Sequence, residues 1–218
     1  MVGQREQGRR RSSARQRLLD AAARCFYAHG VNGTGIDTIT AEAGVAKMSL
    51  YNNFDSKDAL VLAYLEARHA EWLELYRRRL ASADGPRARI AAVFDAYLDH
   101  AEAAYEHGFR GCGLLNAAAE LPADAPGRAV VRRHKEEVAA LVASHVADLT
   151  GWPAERVSAL ADHLAFLLEG ATVRAGLEGD SRLLHRARDL ALRTVDASVA
   201  ERDHPGTEQP TDDRKDHA

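Results

Sequence analysis

An all-α fold is what this 218-residue sequence predicts, and three observations carry that prediction. Apolar residues recur at helical spacing through most of the chain. Strand-like alternation of β-branched residues is missing, and aromatic residues make up only 6%, so a sheet has little to be built from. Glycine and proline mark the breaks between periodic segments, which divides the chain into about nine helices. The first three form a compact helix-turn-helix unit over residues 13–57, and a larger helical domain follows over 58–200. Residues 1–12 are polar, basic and unpatterned and read as a flexible arm, and 201–218, polar with two prolines, as a disordered tail.

Taken in order, Ser13 with Gln16 three residues on makes a capping-box pattern that opens the first helix. Leu18, Ala22, Cys25 and Phe26 form its buried stripe, and Gly30 ends it. A short helix is expected over Ile36–Ala43, a break at Gly44, and a second short helix over Lys47–Phe54. Asp55 and Ser56 both offer N-caps to a long helix reaching about Leu80. Gly85-Pro86 separates it from a helix over about 87–107, and the run from Gly108 to Gly113 is a break. A short helix follows over Leu114–Leu121, closed by Pro122, and Pro126 opens another to about Leu149. Gly151-Trp152-Pro153 turns into a helix over about 154–176, with proline at its first helical position. Gly179-Asp180 turns into the last, over about 181–200.

Charge is unevenly spread. Residues 1–57 carry 9 Lys/Arg against 5 Asp/Glu, whereas the remainder carries 20 against 27, although the whole chain is only at -3. A basic head on an acidic body suits a chain whose head alone meets phosphate; chance variation in a charged surface is the plainer alternative. Cys25 and Cys112 sit in apolar stretches without CxxC or Cys/His spacing, which argues for a reducing cytoplasm and against a disulfide scaffold or zinc site. The ten histidines are scattered without the i, i+4 spacing of helical metal sites, so neither metal nor cofactor is expected. There is no signal-peptide pattern after Arg9-Arg10-Arg11 and no apolar run of membrane-spanning length; the expectation is a cytoplasmic protein. GxGxxG, P-loop and GxSxG patterns are absent, and an enzyme is not expected.

The informative segment is Ile36–Phe54. Two short helices meet at Gly44, where a left-handed backbone makes a tight turn, and Ile39, Ala43, Val45 and Leu50 are placed to lock them together. The second helix presents Lys47, Met48, Ser49, Tyr51, Asn52 and Asn53 outward. Donors, acceptors and an aromatic hydroxyl on one exposed face are what reading base edges and gripping phosphates in a major groove requires. A helical adaptor would account for residues 58–200 but not for that face, and a sequence-indifferent architectural DNA binder is the closer alternative.

Leu18-Leu19-Asp20-Ala21-Ala22, Ala43-Gly44-Val45, Leu50-Tyr51, Phe54 and Ser56-Lys57-Asp58-Ala59-Leu60 together resemble the DNA-binding domain of the TetR family of transcription regulators. The resemblance implies phosphate contacts from Tyr51, Asn53 and Lys57, with Thr34 and Thr38 at the adjoining backbone, and base-edge contacts from Lys47, Met48, Ser49 and Asn52. Tyr51 as a core aromatic and Lys57 as a solvated charge are the plainer alternatives. Met48 either meets a thymine methyl or packs locally. Ala46, Met48, Ser49 and Gly35 depart from the family's usual Ser, Gly, Thr and Ser/Thr, so the operator sequence does not carry over. Arg9, Arg10, Arg11, Arg15 and Arg17 are placed either to reach a minor groove or to add general attraction.

The resemblance further implies a homodimer reading a palindromic operator, and a larger domain that binds a small-molecule ligand and dimerises through its last two helices. Leu160, Leu164, Leu167, Leu168 and Ala171 on one, and Leu183, Leu184, Ala187, Leu190 and Ala191 on the other, have the required spacing; packing within one chain is the alternative. Repression relieved by the ligand is the expected mode. Candidate ligand contacts are the polar or aromatic residues on apolar stretches: Tyr64, Trp72, Phe94, Tyr97, His100, Asn116, Glu120, His134, Phe166 and Glu169. The segment Gly108–Leu121 resembles one found in one branch of the family, and its glycines fall near the expected pocket floor.

Overall fold

The computed structural model describes residues 13–103 and 108–203. The described residues form nine helices and no strand: α1 (Ala14–His29), α2 (Ile36–Ala43), α3 (Lys47–Tyr51), α4 (Lys57–Ala81), α5 (Gly85–Ala101), α6 (Gly113–Ala119), α7 (Pro126–Thr150), α8 (Ala154–Glu178) and α9 (Arg182–Asp203). The arm expected at 1–12, with Arg9, Arg10 and Arg11, lies outside the described residues, as do residues 204–218 of the tail expected over 201–218; residues 201–203 of that tail instead belong to α9. No helix among the described residues is long and apolar enough to cross a membrane.

Local chemistry explains the boundaries. Ser13 Oγ accepts the Gln16 amide at 3.2 Å, but the Gln16 side chain donates forward to Asp20 at 2.9 Å, so only half of the capping box forms. Gly44 adopts the left-handed conformation (φ 61°, ψ 41°) that the sharp α2–α3 turn needs. α3 stops at Tyr51, three residues short of the expected Phe54, because Asn53 turns its side-chain amide onto the Ser49 carbonyl at 2.7 Å. Of the two caps on offer for α4, Ser56 is the one used, its hydroxyl accepting the Ala59 amide at 3.0 Å. Pro153 stands just before α8, not within its first turn.

Two apolar cores result, and they do not divide at residue 57. One is formed by α5, α8, α9 and the distal halves of α4 and α7, with Trp72, Ile90, Phe94, Val142, Leu164 and Leu168 buried in it. The other joins the helix-turn-helix residues Leu18, Phe26, Ile39, Leu50 and Phe54 to Leu60, Tyr64 and Leu65 of α4 and to Leu114 and Val131 of α6 and α7. With 25 residues, α4 is about 37 Å long and threads both cores, so the reading head is seated on the body.

The stripes expected to pair α8 and α9 with a second copy are instead largely occupied inside the chain. Leu160, Leu164, Leu168, Leu184, Ala187 and Ala191 are buried, and Leu167, Ala171 and Leu183 are packed against the same core. Helical spacing identifies an apolar face but not the partner that covers it. The uncovered apolar face of α8 is a different one: Phe166, Val173 and Leu177 are 73%, 53% and 84% exposed, with Leu190 of α9 at 37%.

Candidate DNA-reading face and interior cavity

Leu50, fully buried, pins α3 to the head and contributes about 2 kcal/mol of apolar transfer free energy. With that side inward, Met48 and Tyr51 face outward at 69% and 47% exposed, and Lys47, Asn52 and Thr38 are exposed beside them. Tyr51 is therefore no core aromatic. Ser49, Asn53 and Lys57 are half-buried. Ala46 and Gly35 supply no side-chain cap to α3 and α2, and Lys47 instead reaches across to Asp37 at 2.8 Å. Both partners are largely solvated, so this ion pair is weak and easily exchanged for a phosphate.

One expectation about the head is corrected. Thr34 is buried, with its hydroxyl 2.7 Å from the Gly30 carbonyl and 3.2 Å from that of Cys25. It fastens the turn after α1 and is not available to a phosphate. Arg15 and Arg17, in α1 as expected, are engaged within the head: Arg15 lies over the Phe54 ring at 5.0 Å, and Arg17 donates to the Ala43 carbonyl at 3.4 Å.

The head is fastened to the body by a polar latch that the sequence reading did not anticipate. Glu120, just past α6, accepts the backbone amides of Val31 at 3.1 Å and Asn32 at 2.7 Å. Gly30 permits this approach, since a Cβ there would stand 2.4 Å from the Glu120 carboxylate. On the other side of the joint the Arg110 guanidinium donates to the carbonyls of Tyr27 and Ala28 at the end of α1, and the Tyr27 hydroxyl accepts the Arg110 amide at 2.6 Å. Glu120, expected as a ligand contact, is thus a joint residue, because two unpaired amides at the end of α1 are a stronger claim on a carboxylate than a cavity.

Behind the latch lies a cavity of about 30 Å³ lined by Arg68, Trp72, Tyr97, His100, Phe109, Gly111, Cys112, Gly113, Leu114, His134 and Thr172. Arg68, His100 and Gly113 also line a larger open cleft of about 710 Å³, which Tyr64 shares with Tyr27 and Ala28 of α1 and Thr38 and Ala41 of α2. The structure therefore brings together Tyr64, Trp72, Tyr97, His100 and His134 of the expected ligand set. Phe94 is buried in the core away from both spaces, Asn116 is exposed with its amide on the Arg110 carbonyl at 2.8 Å, and Phe166 points to the surface. Glu169 pairs with Lys135 at 2.7 Å. Phe166 and Asn116 line neither space, because a polar or aromatic residue on an apolar helix can equally lie on its outer face. The lining residues Arg68 and Thr172 were missed, and nothing in their spacing marks them; Phe109, not named as a contact, lies in the Gly108–Leu121 segment expected near the pocket floor.

The cavity walls are mostly kept neutral. Burial, with lesser effects from Lys135, His69 and His100, pushes His134 down to about 3, and burial together with the Arg68 charge pushes His100 down to about 4. His134 Nδ1 meets His69 Nδ1 at 3.1 Å, and its Nε2 lies 3.3 Å from the Tyr97 hydroxyl. Burial works against the Lys135 ammonium, but Tyr97, Cys112 and Glu169 around it outweigh that and hold its pKa above the ordinary lysine value. Since both histidines titrate lower in the folded chain than the ordinary 6.5, the unfolded chain takes up their protons first on acidification. Stability present above pH 6.5 is lost as the pH falls toward 4, by up to about 1.4 kcal/mol per pH unit for each histidine. Melting temperature measured on lowering the pH from neutrality, before the carboxylates titrate, should fall steeply, and less so in His134→Gln; a flat profile would show that the rings are not buried neutral.

Residues 18–64, from the first buried leucine of α1 to the tyrosine at the cleft, match the family described as "Bacterial regulatory proteins, tetR family". Over nearly its whole length the chain is similar to SCO4454, a TetR-family transcriptional regulator from Streptomyces coelicolor, with 32% identity and a TM-score of 0.72 over 86% of this chain and 95% of that one. The transcriptional regulator BetI of Burkholderia mallei is 27% identical over 88% of this chain and 96% of its own length. The transcriptional activator FasR of Mycolicibacterium smegmatis is 34% identical over 48% of this chain, and the match spans only 46% of FasR. With an exposed polar α3 set on a helical body and a whole-length likeness to a solved TetR-family regulator, the chain belongs to the TetR family and is a DNA-binding regulator of transcription, not an enzyme.

Proposed function

We propose that the protein is a homodimeric repressor that reads a palindromic operator with α3 and is released by a small molecule bound in its helical body. The observation that carries this reading is the outward face of α3, where Lys47, Met48, Tyr51 and Asn52 stand exposed while Leu50 alone holds the helix to the core. In this reading Tyr51, Asn53 and Lys57, with Thr38 beside them, meet phosphates. Asn53 keeps one side-chain proton for that contact beyond the one given to Ser49. Lys57 lies in the first turn of α4, whose amides add to the pull on an anion. Lys47, Met48, Ser49 and Asn52 meet base edges.

One such helix touches too few bases for specificity, and two related by a dyad read two half-sites about one DNA turn apart. The uncovered stripe of Phe166, Val173 and Leu177 on α8 supports a dimer formed there, with Leu190 on α9 at its margin. The cleft between body and head supports effector control, because anything filling it lies against the backs of α1 and α2.

The test is a footprint of the protein on its own upstream region, followed by two variants assayed on operator and on scrambled DNA. Tyr51→Ala should weaken binding to both DNAs alike, by about tenfold, and leave the salt dependence unchanged, since no cation is lost with it. Asn52→Ala should leave scrambled DNA untouched and cost about 1–3 kcal/mol of discrimination at one base pair of each half-site. Full operator binding by both variants would rule out α3 as the reading element.

A further inference from the structure

The inner cavity has a chemical bias that narrows the class of effector. Arg68 and Trp72 are four residues apart on α4, hence on one face of it, and both line the cavity. Arg68 Nε and Trp72 Nε1 are each buried, and neither has a hydrogen-bond partner among the described residues. A buried N–H left without an acceptor is costly, more so when it belongs to a charged group, so two on side chains that line one cavity call for an acceptor. Glu71 does not supply it: its carboxylate meets Nη1 of Arg68 at 2.6 Å and leaves the Nε edge unused.

No carboxylate lines the cavity among the described residues, and Arg68 is its one cation there. Beside the neutral His100 and His134, Cys112 and Thr172, the remaining walls are aromatic or aliphatic, chiefly Tyr97, Phe109 and Leu114. At about 30 Å³ the cavity holds no more than a small head group. Arg68, His100 and Gly113 separate it from, and also line, the cleft of about 710 Å³, which is of the size that small-molecule sites have.

We propose that the effector is a small carboxylic acid with an aromatic or aliphatic body, its carboxylate held by Arg68 Nε and Trp72 Nε1 and its body lying in the cleft against α1 and α2. This rests on the reading of the helical body as an effector-binding domain, and it specifies the head group which that domain selects. A carboxylate satisfies both orphaned donors at once, whereas an amide or alcohol of the same shape brings a weaker acceptor and no charge for Arg68. Since the two donors lie on α4 and the body of the ligand lies against the head, binding at the head group fixes the ligand where it bears on the DNA-reading helices.

The full-length protein, free of DNA, is titrated calorimetrically with phenylacetate, benzoate and hexanoate and with their matched amides. The acids should bind and the amides should be weaker by about tenfold or more. Arg68→Met should erase the preference for acid over amide, and Trp72→Phe, which keeps the ring and removes only the N–H, should weaken the acids several-fold and the amides, as weaker acceptors, by less. Equal binding of acid and amide, binding of none of the acids, or an acid preference that survives Arg68→Met overturns the proposal. Operator release is measured separately. Release by neutral compounds alone would sink the acid-selective site and leave effector control standing, while acids that bind without releasing DNA would do the reverse.

Discussion

Glutamate at both Phe166 and Leu177 is expected to convert the protein to a well-folded monomer with little grip on its operator. The two side chains are 73% and 84% exposed and, with Val173 between them, run along one face of α8 whose opposite face, with Leu164, Leu168 and Ala175, is locked into the core. Because they make little of the fold, charging them leaves helicity and melting temperature nearly unchanged. In an interface with two-fold symmetry each substitution occurs twice, so four carboxylates replace a self-complementary apolar strip. Their desolvation and mutual repulsion exceed what a stripe of this size returns. Loss of bivalence then lowers operator affinity by about 10²-fold or more, down to that of a single half-site. Sedimentation and operator titration check the two halves of this expectation independently. A dimeric variant with native affinity would place the interface on another face of the body.

How much of this was legible in the sequence depended on whether a signal was local. The helix ends at Gly30, Gly151 and Gly179, the Ser13 and Ser56 caps and the left-handed turn at Gly44 were, because each is set by a residue and its immediate neighbours, whereas α5 begins at the expected Gly85 break and ends at Ala101, short of the expected 107. The outward set on α3 was legible for the same reason: a short helix with Leu50 as its apolar anchor has only one way to face, and Tyr51 accordingly stands exposed. Thr34 was misassigned because a threonine beside a helix-turn-helix can serve phosphate or its own backbone, and only the fold shows that it caps the turn after α1. The interior was less legible. Leu160, Leu164 and Leu168 have the spacing of an interface helix, and Phe166 that of a pocket residue, yet burial puts the leucines inside and the phenylalanine outside. Which of two apolar faces meets the core is decided by neighbouring helices distant in sequence. Arg68 gave no signal at all, since an arginine in a helix rich in charge reads as a solvated one until its buried, unpartnered Nε is located.

The second large effect is expected from Glu120→Ala, through the joint between head and body. Glu120 sits at the end of α6, whose start at Gly113 and Leu114 lines the inner cavity, and its two carboxylate oxygens hold the amides of Val31 and Asn32 where α1 gives way to α2. A shift of α6 caused at the cavity is therefore delivered to the head at one charged group, supported by Arg110 on the carbonyls of Tyr27 and Ala28. Removing the carboxylate strips two charge-assisted hydrogen bonds; with one of the amides exposed to water, the net cost is about 2 kcal/mol, or a melting temperature lower by roughly 4–8 °C. Glu120→Gln, which retains one acceptor without the charge, should recover only part of it. A purely stabilising contact would end there. A joint that sets the angle of the head has a further consequence: in the dimer the distance between the two α3 helices is fixed only as firmly as each head is fixed to its body. Wild-type protein should therefore discriminate sharply against operators whose half-site spacing is changed by one base pair, and Glu120→Ala should bind the altered and native spacings to within a few-fold of each other. If the variant melts lower yet keeps the wild-type spacing preference, Glu120 stabilises the head without orienting it, and movement of α6 reaches the DNA by the α4 core through Leu60, Tyr64 and Leu65 instead.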